Sequence, residues 1–249
     1  MLLKIKKINP LKSTRLVWLH GWGQDHKSFV PLANMFEDCQ NILVDMAGFG
    51  IAKQPDQPWG TADYANDLAE FLSNEKKAKK TYLIGHSFGC RVALRYTYQF
   101  PDKIDGLILI AAAGLKKKRS LAFKIKAFFL KSLAKLISKI DKIFKTNLKQ
   151  QYANKFGSAD YRSAKGIMRQ VFVKTISEDL SEIATQIKTK TLLISGEKDQ
   201  ETPPEFGQRY QKLLPNSQFF ELPNFDHYSI LTTGKYQLQN LIANFIKNN

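Results

Sequence analysis

The sequence predicts a doubly wound α/β fold whose mostly parallel sheet is interrupted by one helical insertion. Short apolar runs that end in glycine or aspartate alternate with stretches long enough for helices. Strands that are apolar along their whole length are typical of a parallel sheet with helices on both faces. The chain has 249 residues, of which 43% are hydrophobic, so it can bury the core that such a sheet needs.

Six apolar runs carry this prediction. They are Arg15–Leu19, Asn41–Val44, Thr81–Ile84, Leu107–Ile110, Thr191–Gly196 and Gln218–Leu222. In open sheets of this kind, ligands bind outside the carboxyl ends of the strands. We therefore expect the functional residues to follow these runs directly.

The alternation stops between residues 115 and 188, where the pattern is helical. Apolar residues recur at three- and four-residue spacing from Ile125 to Ile143, and lysines mark another face. We therefore divide the chain into a core, residues 1–114 and 189–249, and an inserted helical cap, residues 115–188, that covers the strand ends. No internal repeat or low-complexity linker is visible.

The cysteine content and the N-terminal sequence indicate the compartment. Cys39 and Cys90 are far apart, which fits a reducing compartment better than a disulfide framework. Lysines interrupt the first apolar residues at once, and no stretch reaches the roughly 18 apolar residues of a spanning helix. We expect a soluble, cytoplasmic protein, with peripheral attachment to a membrane as the alternative.

The positive charge is concentrated in one part of the chain. The net charge is +16, and Leu115–Lys149 holds 12 basic residues against one acid, Asp141. The remaining 214 residues carry 26 basic and 21 acidic groups. A general preference for lysine would spread the excess evenly, so this charge belongs to the predicted cap.

The segment Gly85-His86-Ser87-Phe88-Gly89 predicts a nucleophile. It follows an apolar run and precedes a helical pattern, Cys90–Phe100, that ends before Pro101. In this setting a serine lies on a sharp strand-to-helix turn with unfavourable backbone angles, and small flanking residues make the turn possible. The alternative is an ordinary glycine-bounded turn, but the strand-turn-helix setting favours a nucleophilic Ser87.

A serine hydroxyl becomes a strong nucleophile only when a base takes its proton. Of the four histidines, His20 and His86 lie inside other motifs, and His26 lies near the start of a helix. His227 follows the last apolar run, so its loop can reach over the strand ends. A surface-loop histidine is the alternative, and the presence of Ser87 favours the catalytic interpretation.

The base in turn needs a carboxylate that holds its tautomer and stabilises its charged form. Three acids follow the preceding run, namely Glu197, Asp199 and Glu201. We assign Asp199 and interpret the two glutamates as solvated loop charges. The resulting order of serine, acid and histidine along the chain is the one expected for this type of fold.

Backbone amides must also stabilise the oxyanion that forms during acyl transfer. Phe88 follows the nucleophile at the start of a helix. Trp22 lies in the loop His20-Gly21-Trp22-Gly23, where glycines let the backbone approach a substrate. The amides of Trp22 and Phe88 are therefore the candidates, with a plain glycine turn as the alternative for this loop.

Together these motifs resemble those of the α/β-hydrolase superfamily, in the group with an HGxG loop, a D-x-x-G-x-G turn at Asp45–Gly50, a GHSxG elbow and an inserted cap. The resemblance runs from about Arg15 to the C-terminus, excluding the cap. It implies a catalytic triad of Ser87, Asp199 and His227 and an oxyanion hole formed by Trp22 and Phe88.

The same resemblance implies hydrolysis of carboxylic esters through an acyl-enzyme, without a metal or organic cofactor. Thioesters and C–C bonds next to carbonyls stay open as substrates. Ala52 stands where this family often has serine, and Asp226 where glycine often precedes the histidine. A serine nucleophile argues against the dehalogenase and epoxide-hydrolase branches. The competing class is a catalytically silent binding protein that keeps the fold.

The basic cap predicts an anionic partner, unless its lysines are simply a solvated helix face. Lys131, Lys135, Lys139 and Lys142 lie on one face of the predicted helix, which fits an anionic membrane surface or an acidic acyl carrier protein. The HGWG loop with a basic cap resembles, more loosely, the carrier-protein methyl ester esterases of biotin synthesis. Liposome flotation and salt-sensitive carrier-protein binding distinguish the two partners. Nucleic acid is not expected, because no nucleic-acid-binding motif is present.

Overall fold

Seven strands form a single sheet in the computed structural model, which describes residues 1–116 and 159–249. The strands are β1 (Lys4–Ile8), β2 (Thr14–Leu19), β3 (Gln40–Asp45), β4 (Lys80–His86), β5 (Gly106–Ile110), β6 (Thr191–Gly196) and β7 (Ser217–Leu222). Their order across the sheet is β1-β3-β2-β4-β5-β6-β7, and all neighbours from β3 to β7 run parallel. All six predicted runs are confirmed as strands.

Helices connect the strands and cover the sheet. The described α-helices are α1 (Val30–Ala33), α2 (Thr61–Ser73), α3 (Phe88–Gln99), α4 (Ala159–Ser163), α5 (Gly166–Ser177), α6 (Ser181–Gln186), α7 (Pro204–Leu213), α8 (Ser229–Thr232) and α9 (Lys235–Lys247). Two short 3-10 turns occupy His26–Phe29 and Pro101–Lys103.

Two apolar clusters lie on the two faces of the sheet. One contains side chains of α2, α3, α6 and α7, such as Leu68 and Val92. The other contains side chains of α1, α8 and α9, such as Leu32 and Leu238. The strands contribute alternate residues to each cluster, because successive side chains of a strand point to opposite faces. This arrangement confirms the predicted doubly wound α/β fold.

The strand β1 was not predicted from the sequence. It pairs antiparallel with β3 at the edge of the sheet, where Lys4 lies opposite Asp45. Its sequence, KIKKI, mixes lysines with isoleucines and therefore lacks the continuous apolar run of a strand buried on both faces. Lysines on an edge strand also oppose edge-to-edge pairing with other molecules.

The described part of the interval between β5 and β6 is helical. It contains α4, α5 and α6, and α6 packs against α3 and α7. Residues 117–158, which include Lys131, Lys135, Lys139 and Lys142, lie outside the described residues. The division into a core and a cap therefore stays a prediction.

Neither cysteine is oxidised, and both side chains are buried. Cys39 and Cys90 are not joined by a disulfide bond. Within residues 1–116 and 159–249, no helix combines the length and apolarity that crossing a bilayer requires.

Candidate active site

Ser87 lies between β4 and α3 in a strained backbone conformation. Its φ is 50° and its ψ is −108°, and it is the N-cap residue of α3. A side chain on Gly89 would collide with the carbonyl oxygen of Leu19, and one on Gly85 would collide with the backbone of Gly89 and Cys90. The two flanking glycines therefore permit the turn that lifts Ser87 above the sheet, which explains the G-x-S-x-G spacing.

His227 and Asp199 meet beyond the ends of β6 and β7. The Nδ1 atom of His227 lies 2.7 Å from Oδ2 of Asp199, and both side chains are buried, with 6% and 3% exposure. Because a carboxylate only accepts, Nδ1 carries the proton and donates it to Asp199. The Nε2 atom of the neutral ring is then the one with a free lone pair.

Asp199 is held in place by the turn that follows it. The amides of Glu201 and Thr202 donate to Oδ1 at 2.9 and 2.8 Å, and the Thr202 hydroxyl lies 2.9 Å from Oδ2. Burial opposes the charge of Asp199, but the hydrogen bonds from His227 and Thr202 hold the pKa of this carboxyl below its ordinary value. Asp199 is therefore an anion at neutral pH.

Four of the five predicted site residues line one cavity. Ser87, His227, Trp22 and Phe88 surround a space of about 280 Å³, and Asp199 lies behind His227. The aromatic wall continues onto α5, where the rings of Trp22 and Phe172 are 4.9 Å apart. The remaining lining residues are Gly21, Gln24, His86, Arg91, Ala113, Asp160, Thr175, Ile176, Glu201, Thr202 and Tyr228.

Trp22 and Phe88, whose backbone amides are the predicted oxyanion donors, both line this cavity. Phe88 is the first residue of α3, where amides have no intrahelical partner. Among the residues that the structure describes, neither amide donates a hydrogen bond to another backbone group outside the regular elements. Their rings pack edge to face at 5.3 Å, so the HGWG loop and the start of α3 are held together.

His86 and His20 are neutral rings that hydrogen-bond to the backbone around the site. His86 Nε2 donates to the carbonyl of His227 at 2.9 Å, which ties the His227 loop to the end of β4. His20 Nδ1 donates to the carbonyl of Gly21, and its Nε2 accepts from the amide of Met46. Burial lowers the pKa of His20 to about 4 and that of His86 to about 3.

Because the pKa values of these two histidines are lowered in the folded protein, we expect its free energy of unfolding to fall at mildly acidic pH. Their folded-state pKa values lie below the unfolded value of about 6.5, so the unfolded chain binds more protons as the pH falls. Each histidine should lower the free energy of unfolding by up to about 1.4 kcal/mol per pH unit below that value. Asp45 and Asp199, whose pKa values are lowered, lose their contribution only below about pH 4.

Urea unfolding at pH 6.5, 6.0, 5.5 and 5.0 measures this effect. In the His86→Gln variant the side-chain amide reaches the position of Nε2 and can still donate to the His227 carbonyl, and its stability should depend less steeply on pH than that of the wild type. Equal slopes in the two proteins would contradict the assignment of a neutral, buried His86.

Asp45 has a structural role in the turn after β3. It accepts hydrogen bonds from the amide and Nδ1 of His26 and from the amide of Ile51. These bonds, against the effect of burial, lower the pKa of Asp45. Asp25, His26 and Asp45 bring three potential metal ligands together, but their hydrogen bonds already account for the arrangement.

Asp226, the departure from the family pattern next to His227, closes the turn that precedes α8. Its carboxylate accepts from the amides of Tyr228 and Ser229 at the start of α8, and its own amide donates to the Ser229 hydroxyl. The exposed carboxylate is thereby directed to backbone amides.

The sequence analysis did not identify Thr202 and Arg91, two of the residues that line the cavity. Thr202 lies three residues after Asp199, a spacing typical of a turn in which an aspartate side chain accepts backbone amides. Arg91 lies in the first turn of α3, four residues after its N-cap residue Ser87. The helical pattern after the nucleophile was the available signal for Arg91.

Comparison with known proteins decides the family. A profile of the α/β hydrolase fold family matches residues 14–233. The chain belongs to this family. The superfamily that the sequence motifs predict is therefore confirmed.

Relatives of this α/β-hydrolase include proteins named as lipases. Lipase 3 of a Moraxella species is 24% identical over 237 residues, covering 88% of this chain and 73% of the relative. The Bacillus subtilis AB hydrolase superfamily protein YisY is 28% identical and covers 92% of this chain and 90% of its own. An esterase from Exiguobacterium antarcticum superimposes with a TM-score of 0.74 at 21% identity, over 98% of this chain and 95% of its own. That structural similarity shows a shared fold.

Proposed function

We propose that the protein is a serine hydrolase that cleaves carboxylic esters through an acyl-enzyme on Ser87. The hydrogen bond between His227 and Asp199, beside a strained serine in the same cavity, carries this proposal. The similarity to a lipase supports an ester as the substrate. Sequence order and geometry support Ser87 as nucleophile, His227 as base and Asp199 as the carboxylate that orients it.

The arrangement accounts for both half-reactions. The Ser87 hydroxyl attacks the carbonyl carbon while its proton moves to Nε2 of His227, and Asp199 stabilises the resulting imidazolium. The amides of Trp22 and Phe88 donate to the oxyanion of the tetrahedral intermediate. His227 returns the proton to the leaving alcohol, and water then repeats the sequence to release the acid and regenerate Ser87.

The proposed partner and the proposed carrier-bound substrate depend on residues outside the described part of the chain. The lysines between residues 117 and 158 support an anionic partner, either an acidic acyl carrier protein or an anionic membrane surface. A carrier-bound acyl group would make the substrate a thioester or an ester at the end of a carrier-linked chain. A fold that binds without catalysis is the opposing proposal, and a reactive Ser87 would exclude it.

A fluorophosphonate probe tests the proposal directly. We expect the full-length protein to be labelled at one site, and peptide mass spectrometry should place the adduct on Ser87. A parallel screen of p-nitrophenyl esters of increasing acyl length measures turnover. A folded protein without an adduct and without turnover of any ester would favour the silent binding protein.

A further inference from the structure

Arg91 places a positive charge inside the cavity that holds Ser87. Its side chain lines this cavity and the residue is 9% exposed. It lies in the first turn of α3, whose N-cap residue is Ser87, and both residues line the same cavity. A buried cation next to a nucleophile requires an explanation, because burying an unpaired charge is unfavourable.

The observed partners of Arg91 are neutral. Its Nη1 atom donates to the carbonyl oxygens of Thr175 at 2.9 Å and Glu178 at 3.2 Å, at the C-terminal end of α5. These bonds satisfy carbonyls that a helix end leaves unpaired. They use one of the three guanidinium nitrogens. Within the part of the chain that the structure describes, no hydrogen bond engages Nε or Nη2.

The nearest carboxylates are engaged by other groups. The carboxylate of Glu178 accepts from the amide and hydroxyl of Thr61 and from Arg95. The carboxylate of Asp179 accepts from the amide of Ser181 and lies 3.7 Å from the Lys116 ammonium. Among the described residues, no carboxylate oxygen lies within ion-pair distance of Arg91.

Two further acids, Asp160 and Glu201, line the same cavity. Asp160 and Glu201 act electrostatically on each other and on the groups around them, His227 and Tyr228. The acids that act on Arg91 are instead Glu178 and Asp179. The cavity lining therefore contains two carboxylates, Asp160 and Glu201, which act on each other and on Tyr228, and one guanidinium, Arg91, on α3.

We propose that Arg91 binds a carboxylate in the acyl part of the substrate, so that the preferred substrates are half-esters of short dicarboxylic acids. This inference rests on the proposed ester hydrolysis. The leaving alcohol must lie beside His227, which protonates it, so the acyl part extends away from His227. Nε and Nη2 form one edge of the guanidinium, and two parallel N–H groups on such an edge match the two oxygens of a carboxylate.

Binding to a variant that lacks the nucleophile tests this inference separately from catalysis. In Ser87→Ala, calorimetric titration with methyl hydrogen adipate and with dimethyl adipate compares a carboxylate with its neutral ester. We expect the half-ester to bind at least about tenfold more tightly, since hydrogen bonds to charged groups contribute more than neutral ones. Methyl hydrogen glutarate and its diester repeat the comparison for a shorter chain.

Two arginine variants assign the preference to one side chain. In Ser87→Ala/Arg91→Gln the preference for the half-ester should disappear, and in Ser87→Ala/Arg95→Gln it should remain. Arg95 lies one turn further along α3 and pairs with Glu178 outside the cavity lining, so it is a matched control for loss of charge. Thermal melting of each variant reports whether it is folded.

The outcomes separate the inference from the proposed function. Equal affinities for half-ester and diester, or a preference that survives Arg91→Gln, would overturn the role of Arg91. This comparison holds even where Arg91→Gln does not fold, because Ser87→Ala alone must discriminate between the two ligands. A half-ester preference that depends on Arg91, together with absence of turnover in the wild type, would support the carboxylate site and reject the ester hydrolase.

Discussion

Replacement of Ser87 by alanine is expected to lower kcat for p-nitrophenyl ester hydrolysis by about 10⁶-fold, to the level given by the remaining binding groups. The variant loses the only atom that can form the acyl-enzyme, whereas His227, Asp199 and the two amides stay in place. Initial rates under saturating ester, with active-site titration of the wild type, measure the loss. The variant should also lose the fluorophosphonate adduct.

A serine outside the cavity provides the control for this variant. The hydroxyl of Ser73 donates to a backbone carbonyl at the exposed end of α2, so Ser73→Ala should keep wild-type turnover and labelling. Alanine and serine are about equally strained at the positive φ of residue 87, so the melting temperature of Ser87→Ala should be close to that of the wild type. An Ser87→Ala protein that retained both the adduct and activity would remove the serine mechanism.

The residues that could be predicted from the sequence share a simple property. Ser87, Asp199 and His227 each follow an apolar run, and a parallel sheet brings the carboxyl ends of its strands to one edge. Their proximity is therefore a consequence of topology, and the topology follows from the alternation of runs and helices. The glycines at 85 and 89 added the backbone requirement that distinguishes a nucleophile from an ordinary turn serine.

The residues that were missed depend on three-dimensional packing. In the sequence, Arg91 is one polar residue of an amphipathic helix. In the structure, packing of α5 against α3 buries it in the cavity. Thr202 reads as a loop residue before a proline, and its role depends on the hydroxyl reaching Asp199 and the carbonyl of Ala111. Strand β1 was missed because an edge strand needs no continuous apolar run. The periodicity of apolar residues indicates which face of a helix or strand is buried. It does not indicate which other element packs against that face.

Replacement of Asp199 by asparagine is expected to lower kcat by about 10⁴-fold, the second largest effect we predict. The amide side chain has nearly the same shape and can keep accepting the amides of Glu201 and Thr202 through its oxygen. Its NH₂ group would then face Nδ1 of His227, where it donates rather than accepts. Nδ1 would have to be unprotonated, so Nε2 would carry the proton and could no longer take one from Ser87. The loss thus comes from the tautomer rather than from the fold.

The two neighbouring glutamates make this prediction specific. The carboxylate of Glu197 accepts the amide of Asn224, and Glu197→Gln preserves that acceptor, so it should keep kcat near the wild-type value. Melting curves of Asp199→Asn should show a folded protein, which separates a lost tautomer from a lost structure. If Glu197→Gln or Glu201→Gln reduced kcat as much as Asp199→Asn did, the assignment of the acid would be wrong. The geometry favours Asp199, because its oxygen lies 2.7 Å from the ring nitrogen that must hold the proton.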